Sequence, residues 1–319
     1  MTKIALPEIN ILQAAVTPIT PDDPMPEAGR KIFLTNLIEM LDHQEKLFDE
    51  ESIHHIHQMR VATRRMRSAM RVFGGYYEKR YLKPILKGLR ITAQGLGAAR
   101  DLDVMLENMQ SYQALLEGDI VEAFKPILAD IEEERQEAAE ELRKWLESKA
   151  YARFLKKFSA FVLTAGLGSH APEAKTDPYQ VRHVVSVILH EHLAQVRAFD
   201  GQLEEAPYER LHALRIEFKR LRYLVTFFAE NLGTSANDFI EEIKIMQDHL
   251  GHLNDTVVAL ERLSDHDLLS SDQIAALAPY RETLHEQQTR LTNEIADLWT
   301  HFNTRTVQRK LSDALLSLR

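Results

Sequence analysis

The chain has 319 residues, is 45% hydrophobic, carries a formal net charge of −9 and has no cysteine. It is long enough for two domains or one duplicated one with a real core, and the missing thiols exclude disulfide staples and cysteine-based zinc or redox sites. No stretch approaches 18 apolar residues and no signal-like start precedes a cleavage site, so the chain reads as a soluble cytoplasmic protein with no membrane partner.

Only 12 Gly and 11 Pro, with long segments of 3.6-residue hydrophobic period, point to an all-α protein. Residues 1–26 read as an extended leader, because Pro18, Pro21, Pro24 and Pro26 forbid a continuous helix. A first helix is predicted from about Glu27 to Leu47, with Ile32, Leu34, Leu37, Ile38 and Leu41 toward a core. The next stretch, HHIHQMRVATRRMRSAMR from His54 to Arg71, divides in two at about 100° per residue. Met59, Ala62, Met66, Ala69, Met70 and Phe73 fall on one side, and His57, Arg60, Arg64, Arg67 and Arg71 on the other. The second side is a basic ridge roughly 20 Å long at about 1.5 Å per residue. Like charges at i,i+4 repel, and a solvated face normally mixes signs to avoid that, so the ridge is expected to face something negative.

Gly74-Gly75 is the expected stop of this helix. A third helix, about Tyr81 to Leu96, carries Lys83, Lys87 and Arg90 on one stripe and is punctuated by Gly95 and Gly97. Arg100-Asp101 then opens a shorter helix to about Leu116, where Asp101 and Asp103 suit the positive end of a helix dipole. From Phe124 to Phe161 the pattern is long-helical and Glu-rich, with Trp145, Phe154, Phe158 and Phe161 toward a core. Charge is strongly segregated: residues 54–90 hold ten Lys/Arg against Glu78 alone, and residues 101–147 hold fourteen acids against four bases. The acidic block reads as a solvated face, the alternative being that it pairs with the basic one. Local field rather than net charge governs ligand capture, and an acidic exterior discourages duplex DNA.

Gly166 to Pro178 is a linker by composition, and after it the chain begins again. His57 and Arg60 recur as His212 and Arg215, and Arg64-Arg65-Met-Arg67 recurs as Lys219-Arg220-Leu-Arg222, all at an offset of 155. LGAARD at 96–101 recurs as LGHLND at 250–255, and Trp145 recurs as Trp299, both at an offset of 154. Near-constant spacing marks a tandem duplication: residues 27–165 and 179–319, joined by 166–178. The second ridge helix, about Tyr208 to Asn231, again segregates His212, Arg215, Lys219 and Arg222 from Leu214, Leu221, Leu224, Val225 and Phe228. Arg71 has become Thr226 and Arg100 has become Asn254, so the first half is the more basic, while Lys244 keeps a charge opposite Arg90. Two related units packed about a pseudo-two-fold are expected to line a shared basic groove or channel.

HHIHQMRVATRRMRSAMRVF with LGAARDLDV, followed by ERLHALRIEFKRLRYLVTFF with LGHLNDT, resembles the CHAD family, the conserved-histidine α-helical domain, over residues 27–319. The resemblance implies two pseudo-symmetric antiparallel helical bundles around a basic central cavity that binds inorganic polyphosphate. Carried over by position, the anion contacts are His57, Arg60, Arg64, Arg65 and Arg67, then His212, Arg215, Lys219, Arg220 and Arg222. The helical-face argument adds Arg71, Lys83, Lys87, Arg90, Arg100 and Lys244.

The residue types suit that ligand. Arginine offers a planar fork that bridges two oxygens and never deprotonates, and lysine adds point charge. With a reference pKa of about 6.5, His57 and His212 are either pH-dependent phosphate contacts or neutral groups that orient their helices. No catalysis, cofactor or metal site is expected: there is no Gly-rich phosphate loop, and His54, His55 and His57 spread too widely around one helix for a single metal. His266-Asp267 is a lone dipeptide. The alternatives are single-stranded RNA or nucleotide-phosphate binding, for which only Tyr223 is placed to stack, and a scaffold at polyphosphate granules among polyphosphate-metabolising enzymes.

Overall fold

The structure, a computed structural model, describes residues 8–47, 52–115, 119–172, 174, 176–204, 206–264 and 271–318. Among the described residues the helices are α1 (Ile9–Ala14), α2 (Met25–Glu45), α3 (Ser52–Phe73), α4 (Lys79–Gln113), α5 (Asp119–Leu146), α6 (Lys149–Leu163) and α7 (Val181–Arg197). They continue as α8 (Tyr208–Phe227), α9 (Ala229–Leu232), α10 (Thr234–Arg262), α11 (Ser271–Ala276), α12 (Ala278–Phe302) and α13 (Arg305–Leu315). Extended pairing among the described residues is limited to the isolated bridges Pro24–Gln180 and Tyr77–Ser169, so the protein is all-α. The chain forms two compact units, Met1–Glu107 with Ile131–Val184 and Asn108–Asp130 with Val185–Arg319. The division falls inside α4, α5 and α7, so these units are cut differently from the two sequence repeats.

In the first unit, α2 starts directly after Pro24 and carries Pro26 in its first turn, where a missing N–H costs nothing. It packs on α3 at Gly29, where an added Cβ would lie 2.8 Å from the Phe73 ring. Phe33 anchors the core between the two helices, with the rings of Phe73, Tyr77, Phe158 and Phe161 centred 6.2–6.4 Å from it. The expected extended leader is corrected here. Residues 9–14 form α1, Leu12 is fully buried, and Lys31 ties the following segment down by donating to Pro18 O at 2.8 Å and Asp23 Oδ2 at 2.7 Å. The prolines prevent one continuous helix, not a short one ahead of them; residues 1–7 lie outside the described residues.

A second correction concerns α4, which runs unbroken from Lys79 to Gln113 through Gly95 and Gly97. Gly95 serves packing: a Cβ there would stand 3.1 Å from Leu142 of α5. Asp101 and Asp103 are therefore mid-helix side chains rather than helix starters, and Asp255 sits equally inside α10. Asp103 is buried beside Arg135 at 3.4 Å, and Asp101 faces Arg60. The long 124–161 pattern is two helices, α5 and α6, with Ser148 Oγ accepting from the Tyr151 amide to cap the second. The described residues of 166–178 are non-helical; residues 173 and 175 lie outside the described residues.

In the second unit, α8 buries Leu211, Leu214, Phe218, Leu221, Leu224 and Val225, and α10 packs against both α8 and α12. The Phe218 ring lies 4.9 Å from Phe302 and 6.3 Å from Trp299, whose Nε1–H donates to Asp200 at 2.8 Å. The second ridge helix ends earlier than expected, at Phe227, and the short α9 follows after a break at Phe228.

Candidate functional site

On α3 the two predicted faces separate cleanly. Met59, Ala62, Met66 and Ala69 are wholly buried, whereas His57, Arg67 and Arg71 are exposed and Arg60 and Arg64 half-buried. Arg60 Nη2 lies 3.3 Å from Asp101 of α4, which brings the start of α3 against the LGAARD segment. Arg100 enters the same neighbourhood. Partial desolvation of the ring, then the charges of Arg100, Arg64 and Arg60, hold the His57 pKa below its ordinary value. Lys83, Lys87 and Arg90 are exposed along α4. Among the described residues neither these three nor Arg67, Arg71 and Arg100 has a carboxylate within ion-pair distance.

Arg65 stands apart. It falls about 120° from the centre of the ridge on a helix of 100° per residue, and its guanidinium holds Glu39 of α2 at 3.0 Å. Its counterpart Arg220 behaves alike, gripping Glu217 at 2.5 Å one turn back. The fold does not bring these two, both carried over from the family pattern, onto the ridges; it commits them to local carboxylates.

The second ridge is built differently around its histidine. Asn254, at the position of Arg100, accepts from the Tyr208 hydroxyl at 3.1 Å, and His212 Nδ1 lies 3.1 Å from the same oxygen. In that geometry Nδ1–H can donate to the Asn254 oxygen, which leaves Nε2 for another partner. Arg215, Lys219 and Arg222 are half-buried, and Lys244 is exposed on α10 with Glu241 at 3.5 Å. The role of Tyr208 escapes sequence reasoning, because its counterpart is Ile53 and the repeat offers no precedent. Tyr223, expected to be available for stacking, is only 3% exposed and lies parallel to Phe227 with ring centroids 6.3 Å apart. Near the C-terminal end of α8 Tyr223, Leu224 and Val225 are buried, while Thr226 is exposed.

A third cluster also escapes the sequence. His43, at the end of α2, meets His54 and His55, at the start of α3, with His43 Nδ1 3.0 Å from His55 Nδ1. The dipeptide His266-Asp267 lies outside the described residues.

Residues 31–264 match the family model of the CHAD domain. The crystal structure of the CHAD domain from the plant Ricinus communis is similar with a TM-score of 0.64 at 22% identity, covering 95% of this chain and 96% of that one. PptA from Streptomyces chartreusis is similar with a TM-score of 0.63 at 11% identity, covering 87% and 100%. At these identities the likeness is one of fold. An uncharacterized protein of Mycobacterium tuberculosis, represented in strains CDC 1551 and H37Rv, is 27% identical over 252 residues, 77% of this chain and 46% of its own length. The chain thus spans about half the length of the curated relatives it matches.

Proposed function

This chain belongs to the CHAD domain family, and we propose that its basic helix faces bind inorganic polyphosphate without turning it over. The observation that carries this reading is the set of cations on α3 and α4 that, among the described residues, have no carboxylate within ion-pair distance: Arg67, Arg71, Lys83, Lys87, Arg90 and Arg100. A fold that gathers like charge and leaves it without counter-charge is stabilised by an external polyanion. Polyphosphate has about one charge per internal phosphate and no base to read, which suits guanidinium forks and lysine point charges with no stacking platform. In this reading Asp101 and Asp255 order neighbouring polar side chains, toward Arg60 and Asn254, and perform no acid–base step. Polyphosphate-metabolising enzymes and granules meet the protein through the polymer. With Tyr223 buried, the aromatic that sequence placed for stacking on single-stranded RNA is not available.

The test is calorimetric titration of the full chain with long-chain polyphosphate at two salt concentrations, with single-stranded RNA as competitor and free phosphate assayed alongside. Saturable binding that weakens steeply with salt, resists RNA and releases no phosphate is expected. Displacement by equimolar RNA, or phosphate release, overturns the reading.

His57 gives a pH-dependent signature. Its pKa lies below the ordinary value in the free protein, and a bound polyanion offsets the surrounding guanidinium charge and raises it. Binding therefore takes up a proton between the free and bound pKa values, and affinity increases as pH falls through that window. NMR titration of the His57 ring should show its midpoint moving upward on saturation with polyphosphate. An unmoved midpoint makes His57 a structural group.

A further inference from the structure

We infer that His43, His54 and His55 form a binding site for a borderline-soft divalent cation, zinc-like in preference, that clasps the end of α2 to the start of α3. One ligand nitrogen from each ring lies within 4.8 Å of the others, across two helices rather than along one. The closest pair, His43 Nδ1 and His55 Nδ1, is 3.0 Å apart. Two nitrogens each about 2.05 Å from a tetrahedral centre stand about 3.3 Å apart, so this pair needs only a small opening to share a cation. The ring centroids are 5.2–6.0 Å apart, leaving the His54 ring a modest rotation to complete the triangle.

Three imidazoles and no thiolate select Zn²⁺, Cu²⁺ or Ni²⁺ over the oxygen-seeking Mg²⁺ and Ca²⁺. His54 is exposed, so the fourth coordination position opens to solvent. The site excludes His57, which belongs to the ridge three residues beyond His54. The cation would join the end of one helix to the beginning of the helix that carries the ridge, across residues 46–51.

The experiment uses the full chain without a polyhistidine tag, stripped with chelator and titrated with ZnCl₂ in a phosphate-free buffer. One equivalent should bind, and Co²⁺ at the same site should give the intense visible absorption of a tetrahedral centre. His43→Gln, His55→Gln and the exposed His54→Gln should each weaken Zn²⁺ binding at least tenfold, whereas His57→Gln should leave it unchanged. Circular dichroism of each variant separates lost ligation from lost fold, and His54→Gln, at an exposed position, serves if either of the others unfolds. No saturable one-to-one binding overturns the inference, as does binding that survives these substitutions or is lost with His57→Gln.

Discussion

Replacing Arg60, Arg64, Arg67 and Arg71 together by alanine is expected to weaken polyphosphate binding by about 10²–10³-fold at moderate salt and to flatten its salt dependence. A charge-assisted hydrogen bond to an anion contributes about 1.5–3 kcal/mol when made in full, and partly exposed contacts contribute less. At about 1 kcal/mol for each of four contacts the total reaches about 4 kcal/mol, or nearly three decades in Kd at about 1.4 kcal/mol per decade. The fold should survive, because the ridge side chains are exposed or half-buried and the opposite face holds the core. The matching triple change Arg215→Ala, Lys219→Ala and Arg222→Ala should cost less, since Thr226 and Asn254 have already removed two cations from that side. Arg65→Ala and Arg220→Ala should scarcely change affinity, because both guanidiniums are engaged with Glu39 and Glu217. Titration calorimetry of these variants at two salt concentrations reads all three effects. An unimpaired fourfold variant would remove the ridge from the binding surface.

The α3 ridge was legible because one period organises the whole helix. Met59 and Met66 are seven residues apart and both wholly buried, while Arg60 and Arg67, one position further on, remain accessible. The second ridge was legible from the first, because His212 and Arg215 stand on α8 at the spacing that His57 and Arg60 have on α3. What failed was local grammar applied where packing decides. Gly95 and Gly97 read as helix breakers, yet a glycine within a helix costs only about 1 kcal/mol, which contacts along a 35-residue helix readily exceed. Asp101 and Asp103 read as helix starters from their charge alone, and their partners Arg60 and Arg135 lie 41 and 32 residues away in sequence. His43 and His55, similarly, are brought together only by the packing of α2 on α3, and no period along one helix reveals them.

Two α4 glycines, Gly88 and Gly97, give a prediction of opposite signs. Gly88→Ala should destabilise the protein by roughly 2 kcal/mol or more, and Gly97→Ala should stabilise it by about 0.5–1 kcal/mol. Both lie inside one helix, so both gain the same propensity from alanine. At Gly97 nothing lies within 4 Å of the new methyl. At Gly88 the Cβ would stand 2.2 Å from Phe154 Cδ2 and 2.3 Å from Cγ. That ring cannot easily retreat: Phe154 is 5% exposed, with Tyr151 centred 5.6 Å and Phe158 5.8 Å from it. Relief requires moving α6 away from α4, which also displaces Lys87 and Arg90 on either side of the glycine. The urea midpoint should therefore fall for Gly88→Ala and rise for Gly97→Ala. Polyphosphate affinity should drop in the first variant and hold in the second. A Gly88→Ala protein as stable as the parent would mean that α4 and α6 do not meet at this glycine, and the placement of the Lys83–Arg90 stripe would fall with that contact.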